Sequence, residues 1–345
     1  MSGRLRCYSF HSVKGGVGKS TLSVVTALKL ARKPGAQVTL IDMDLTGTSL
    51  ADVLPLEAPA WSHVEASERL NLLQKPDGFR SLEETRDAME ERDEAARKAL
   101  EENPEGPESR MARGVPFLND YLLFATPDWD AQQDVPVASL LWRVQGLAHE
   151  SLRVIPSSAL PSDLERGIPV IFDENHSGFL EGRLEYLLDS LVPDASGDEA
   201  VVVVDTPPTI PGLSRSVLSL ALRLSRKEKQ PLSEDGMMPE RLRNAEVQWT
   251  AFLVSTMDRQ DLRAAARWLS LVNEEEAHHI RFLINRARSG DEQQLKDLLS
   301  QALGYEPNPL INNPLWVKEE RTWELFRTVG EPIIPEGPLP FLEVE

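Results

Sequence analysis

Cysteine is nearly missing: Cys7 is the only one in 345 residues. A lone thiol excludes a disulfide framework and a paired-cysteine metal site within one chain, and it makes the cytosol the natural, cytoplasmic compartment. Long apolar runs are missing too, none approaching the roughly eighteen residues of a membrane-spanning helix, and the chain opens on a strand-like segment with no signal peptide. Cations are in short supply. Thirty-seven Lys and Arg against 55 Asp and Glu leave a formal net charge of −18. Nucleic-acid binding draws most of its affinity from cationic contacts with phosphate, so DNA is disfavoured as a partner. The histidines show no metal spacing, since the adjacent His278 and His279 do not share a helix face.

What is present is concentrated near the start. Leu5 to Phe10 reads as an apolar strand, and Ser20 to Arg32 carries Leu22, Val25, Leu28 and Leu30 at helical spacing, closed by Pro34 and Gly35. Between them lies Val13-Lys14-Gly15-Gly16-Val17-Gly18-Lys19-Ser20-Thr21. Glycines let a backbone wrap a polyphosphate with its N–H groups, a lysine neutralises the terminal phosphates, and a hydroxyl suits Mg²⁺. Gly15, Gly16, Gly18, Lys19 and Ser20 meet that list, and Lys14 is surplus to it. Strand, glycine loop and helix in that order converge backbone donors and the positive helix end on one anion.

Two further segments point to the same place. Val38 to Asp44 (VTLIDMD) reads as a strand ending in Asp42 and Asp44, which share one side if the chain stays extended. Val201 to Asp205 (VVVVD) is apolar on both faces, as in a central parallel strand. A carboxylate ending a strand is by itself most often a cap or turn residue. After a phosphate loop it is placed at the crevice where open α/β sheets bind ligands, where Asp205 suits Mg²⁺.

KGGVGKS, IDMDLTG and VVVVDTPP resemble the deviant Walker A, switch I and Walker B segments of the ParA/MinD family of P-loop ATPases, of the SIMIBI class. The resemblance implies an α/β fold with a mostly parallel central sheet and helices on both faces. It also implies ATP and Mg²⁺ as ligands, hydrolysis to ADP and phosphate, and an ATP-dependent homodimer in which Lys14 crosses to the partner's nucleotide. By the same resemblance Gly15, Gly16, Val17, Gly18, Lys19, Ser20 and Thr21 bind phosphate, Ser20, Asp42 and Asp205 serve the metal, and Asp44 orients the attacking water. Further on, Ala251 to Thr256 and Ile280 to Arg286 read as strands. Asn285 stands where the family reads adenine, although a turn-capping asparagine is the alternative. Pro309 to Pro335 resembles the family's closing strand and helix, with Trp316, Trp323, Leu325 and Phe326 as core and Asn312, Asn313 and Pro314 near the base.

The expected organisation is a single P-loop ATPase domain over residues 1–345, with residues 57–114 forming an inserted helical arm and loops. Ser81 to Glu102 is rich in helix formers and charge, with only a thin apolar line of Leu82, Met89, Ala96 and Leu100. It suits either a solvated helix with local contacts or an arm that docks a partner. Lys227 to Ala245 reads as a surface loop. Prolines and acids at the end of the chain oppose a membrane-binding helix. Arg259, Arg263 and Arg267, and separately Arg215, Arg223, Arg226, Lys227 and Lys229, recur around helices, yet solvated faces account for them more simply. The favoured function is an ATP-dependent dimeric switch that positions or regulates a protein partner, with basic segments suited to the acidic surface. The alternatives are a DNA-partitioning ATPase, a nucleotide-bound scaffold with incidental hydrolysis, and a small-molecule synthetase or kinase on the same scaffold.

Overall fold

Strands whose residues are apolar on both faces belong between two layers of helices, and the two most apolar runs take the middle of one nine-stranded sheet. In this computed structural model, residues 3–45, 50–62, 75–102, 115–124, 137–146, 151–171, 177–195, 197–208, 212–225, 238–272, 279–288, 290–291, 294–295, 314–318 and 339–342 are described. β1 (Arg4–His11) lies parallel between β8 (Glu199–Asp205) and β9 (Glu246–Ser255). The parallel part continues through β10 (Ile280–Ala287) to β11 (Leu315–Lys318) on one side, and through β2 (Gln37–Asp42) to β7 (Leu152–Ile155) on the other. β6 (Trp142–Val144) and β3 (Leu56–Glu57) extend the β7 edge antiparallel. β4 (Pro59–Ala60) and β5 (Gly78–Phe79) form a separate two-stranded ribbon. The mostly parallel sheet expected from the sequence is therefore present.

Alternation along β1 divides the core. Tyr8 and Phe10 face α1 (Lys19–Ala31) in a cluster with Leu22, Val25, Leu28, Phe252 and Phe341. Leu5 and Cys7 face the opposite layer, where Val202 and Val204 pack with Leu184 and Leu188 of α4 (Ser177–Leu191) and Val217 and Leu220 of α5 (Leu213–Leu224). Such two-sided burial makes this edge-to-edge order stable only with helices on both faces. Register then sets the site, because Asp42 of β2 and Phe10 of β1 each lie opposite Asp205 at the carboxyl edge of β8.

The charged arm is a helix, α2 (Leu82–Glu102), started by a capping box in which Ser81 N–H donates to Glu84 Oε2 at 2.7 Å and Glu84 N–H to Ser81 Oγ at 3.3 Å. It is neither merely solvated nor free to dock elsewhere along its whole face. Thr85, Ala88, Arg92 and Asp93 are buried against the body. Arg92 grips Asp120 with two bonds of 2.7 and 2.8 Å and Asp163 of α3 (Pro161–Ile171) at 2.9 Å. Its guanidinium also donates to the Val115 carbonyl and stands 4.9 Å from the Phe117 ring centre. Burial opposes its charge, but Asp120 and Asp163 more than compensate and hold its proton more tightly than usual. The first residues of the expected insertion belong to the main sheet and the ribbon, as β3 and β4.

Two other expectations shift. The part of Lys227–Ala245 that is described includes the short helix α6 (Glu240–Asn244), with Met238, Leu242 and Ala245 buried, so it packs instead of looping over the surface. Trp316 sits half-buried in β11 against the core, whereas Trp323, Leu325, Phe326, Asn312, Asn313, His278, Arg226, Lys227 and Lys229 lie outside the described residues.

Candidate nucleotide site

The chain leaves β1 at His11 and turns at once. Ser12 Oγ donates to the Lys14 carbonyl at 2.6 Å, and Gly16 and Gly18 take left-handed φ values of +82° and +92°. Residues with a Cβ resist that region, so glycine is required there. Gly18 is also the N-cap of α1, whose first turn has no side-chain cap and no acid. The orphan N–H groups of that turn are consequently offered outward, the arrangement that binds anions. A Cβ on Gly18 would lie 2.4 Å from Asn285 Nδ2, and this amide donates to the Val17 carbonyl at 2.9 Å. Asn285 is thus buried against the loop backbone, bracing it from β10, and its N–H is directed to the loop.

Lys19, in the first turn of α1, is buried beside the carboxyl edge of β8. The Ser20 hydroxyl hydrogen-bonds Asp205, and Ser23 Oγ lies 3.1 Å from Asp205 Oδ1 and 3.0 Å from the Lys19 carbonyl. Burial pushes the Asp205 carboxyl up to about 6, against the pull of the Ser20 hydrogen bond and the Lys19 charge. The hydroxyl and the carboxylate that would hold Mg²⁺ are therefore already in contact. Thr21 follows in the same turn, half-buried.

Asp42 is held differently. Its carboxylate accepts from Leu50 N–H at 2.8 Å, from Ser157 Oγ at 2.7 Å and from Asp44 N–H at 3.1 Å. Burial and the neighbouring Asp205 push it up to about 8. Two buried carboxyl groups abreast, both hard to ionise, form a place where a divalent cation relieves repulsion, so the residues fit Mg²⁺. Among the described residues no three His, Cys, Asp or Glu side chains form a metal cage. β2 stops at Asp42, and Asp44 stands half-buried just past its end. The two aspartates are thus not on one extended strand face. Asp42 organises the turn that presents Asp44.

Lys14 lies away from this cluster. Its ammonium donates to Gln260 Oε1 at 3.0 Å and stands 3.9 Å from Asp261 Oδ1, both at the start of α7 (Arg259–Leu269). Gly15 neighbours Pro208, just past β8, with 3.6 Å between an added Cβ and the proline Cβ. Sequence reasoning missed Ser23, Ser157, Gln260 and His11. Ser157 and His11 carried a usable signal, each being a polar residue at the carboxyl end of an apolar strand.

Candidate partner surfaces fall out unevenly. Arg259, Arg263 and Arg267 are exposed along one face of α7 and make no ion pair with a described residue. Arg223 pairs with Glu185, and Arg215 is exposed. Cys7 is fully buried inside β1, and burial pushes its thiol well above the usual range. No helix among the described residues is long and apolar enough to cross a membrane.

Comparison with known proteins adds to this geometry. Residues 6–75 match the family model described as ParA: NUBPL iron-transfer P-loop NTPase. A curated relative, the cytosolic Fe-S cluster assembly factor NUBP2 homolog of Trichoplax adhaerens, is 31% identical over 191 residues, which is 49% of this chain. The match spans 66% of that relative's length, just under two thirds. Among solved structures, a ParA family ATPase from Chlorobium tepidum TLS aligns with 95% of this chain and 90% of its own at 16% identity, with a TM-score of 0.45. The MinD cell division protein of Aquifex aeolicus aligns with 95% and 87% at 16% identity and 0.44. A putative plasmid partition protein from Borrelia burgdorferi B31, bound to AMPPNP, aligns with 99% and 95% at 14% identity and 0.46.

Proposed function

We propose that this chain, a ParA/MinD-like P-loop NTPase, hydrolyses ATP slowly to ADP and phosphate and works as a cytoplasmic, ATP-dependent dimeric switch for a protein partner. One observation carries the reading: Lys19, Ser20 and Asp205 meet beneath an uncapped helix N-terminus, at the carboxyl edge of the central strand. Phosphoryl transfer asks a protein mainly for position and charge. The amides from Gly15 to Thr21 would cradle the phosphates, with Lys19 neutralising charge on their oxygens. Ser20 and Asp205 would hold Mg²⁺, which when bound supplies charge neutralisation at the phosphate oxygens. Asp42, its oxygens occupied by Leu50, Ser157 and Asp44, fixes the turn and stands beside the metal site. Asp44 then orients the attacking water, and Asn285 braces the loop near the nucleotide.

Lys14 supports the dimeric part of this reading. It is tethered to α7 on its own chain by a side chain 39% exposed, a contact that a second subunit can displace. A lysine that joins the partner's phosphates only in the dimer couples assembly to turnover. The net charge of −18 favours a basic segment as activator. Iron–sulfur cargo, suggested by the name of the relative, would need thiolate ligands, and the lone Cys7 is sealed in the core. Phosphate release and equilibrium ATP binding test the proposal. Lys19→Ala should lose ATP binding, and Asp44→Ala should bind ATP while turnover drops by about a hundredfold or more. Unchanged turnover in Asp44→Ala would refute its role.

A second reading rests on the exposed arginine stripe of α7, which makes no ion pair with a described residue and gives an acidic chain a local cationic face. Nonspecific DNA binding through that face predicts ATP-dependent gel shifts that weaken steeply with salt and vanish in an Arg259→Glu, Arg263→Glu, Arg267→Glu variant. No shift at low salt would remove it.

A further inference from the structure

Five buried side chains form one hydrogen-bonded chain beneath the phosphate loop. The indole Nε1 of Trp249 in β9 lies 3.0 Å from Ser9 Oγ in β1, and Ser9 Oγ lies 2.8 Å from His11 Nε2. His11 Nδ1 lies 2.9 Å from Ser214 Oγ, in the first turn of α5. Ser214 Oγ then lies 3.2 Å from Thr206 Oγ1, which lies 2.7 Å from the Phe10 carbonyl oxygen.

The carbonyl end fixes the direction of the bonds from Phe10 to the ring, because a carbonyl only accepts, while the indole N–H at the other end only donates. From the carbonyl end, Thr206 gives its single proton to Phe10 and so accepts from Ser214. Ser214 has then used its own proton and accepts from His11 Nδ1–H. The carbonyl end therefore sets the tautomer of the neutral ring, with the proton on Nδ1 and Nε2 bare. Ser9 accepts from Trp249 and keeps a second lone pair, so it does not itself dictate the tautomer, but its one proton is available to the bare Nε2. Burial and the nearby Lys19 charge keep the ring neutral, lowering it to about 3.

The chain touches the elements that surround the proposed nucleotide site. Thr206 directly follows Asp205, Ser214 opens α5, and His11 is the last residue of β1 before the loop. The imidazole bonds through both ring nitrogens, to Ser9 of β1 on one side and Ser214 of α5 on the other. A histidine this well satisfied could serve stability alone. Its bonds, however, end on the residue next to the Mg²⁺ carboxylate and on a strand remote from it.

We propose that His11 is a positioning residue of the nucleotide switch: its Nδ1–H holds Ser214 and Thr206 in register with the phosphate loop, and nucleotide-driven movement of Thr206 passes through the ring to Ser9 and the Trp249 indole. This rests on the nucleotide reading above. Long-range ¹⁵N–¹H NMR on the nucleotide-free protein reads the tautomer, with His11→Asn identifying the signal. The expected result is a neutral Nδ1–H ring throughout the range from about pH 5 to pH 8. An Nε2–H ring, or one titrating near the ordinary value of about 6.5, would overturn the chain. The Trp249 indole resonance, assigned through Trp249→Phe, is then followed with ADP·Mg²⁺ and ATP·Mg²⁺ in wild type, His11→Asn and Ser9→Ala. The wild-type resonance should shift with ATP, and both variants should bind ATP without that shift. An unresponsive indole in ATP-bound wild type, or an equal response in His11→Asn, would overturn the transmission. Wild type that binds no ATP would refute the nucleotide reading and the transmission together, and the tautomer result would stand apart from both.

Discussion

At Gly18 two constraints coincide: a left-handed φ of +92°, and an Asn285 amide where a side chain would go. Gly18→Ala should therefore cost about 1 to 2 kcal/mol from backbone strain alone and more from displacing Asn285, read as a lower urea midpoint. Asn285→Ala combined with it should recover only the part due to the clash. His11 makes a prediction about acid. Its folded value near 3 lies below the unfolded value of 6.5, so the unfolded chain binds the extra proton between those values. Its contribution is full above pH 6.5 and is lost as pH falls toward 3, by at most about 1.4 kcal/mol per pH unit. Stability curves from pH 7 to 4 should be shallower for His11→Asn than for wild type, and equal slopes would contradict this. The loop residues were legible in the sequence because their chemistry is local to nine consecutive positions. The partners of Asp42 were not, since Ser157 is separated from it by 115 positions and meets it only through strand pairing.

At the scale of elements, α2 shows what composition hides. An apolar stripe is the usual sign of a packed helix, but the buried face here is Thr85, Ala88, Arg92 and Asp93, and its anchor is an ion pair. Polar contacts supply no periodicity that reads as burial. Arg92→Met leaves Asp120 and Asp163 buried without their cation and should destabilise the protein by about 3 to 5 kcal/mol in denaturant unfolding. Arg183 of α4 is the contrasting case. It is equally buried and donates from Nε to the Tyr121 carbonyl at 2.5 Å, but both terminal nitrogens lack a hydrogen-bond partner among the described residues. Burial accordingly lowers its hold on its proton. Arg183→Met gives up one hydrogen bond and the contacts of the guanidinium with the Tyr121 and Phe179 rings, but it also removes a poorly paired buried charge, so it should cost much less than Arg92→Met. If the two substitutions cost the same, satisfaction of the guanidinium does not set the difference. β1, β2, β8 and β10, by contrast, were legible to within about two residues, because burial on both faces leaves continuous apolar runs, whereas β9 begins at Glu246, well before the apolar run from Ala251 that marks it in the sequence.

For the whole molecule, acidity and the loop's extra lysine bear on assembly. Lys14 is anchored by an exposed contact to Gln260 and Asp261, so Lys14→Ala should change the stability of the isolated subunit by only about 0 to 1 kcal/mol. Turnover should nevertheless collapse, because the proposed target of Lys14 is in another subunit. No single chain displays that target, which is why the sequence points to the lysine more clearly than the monomer does. Sedimentation velocity of Asp44→Ala, with ATP·Mg²⁺ and separately with ADP·Mg²⁺, tests the switch most directly. The account predicts a dimer with ATP and a monomer with ADP at the same protein concentration; one and the same species with both nucleotides would contradict it.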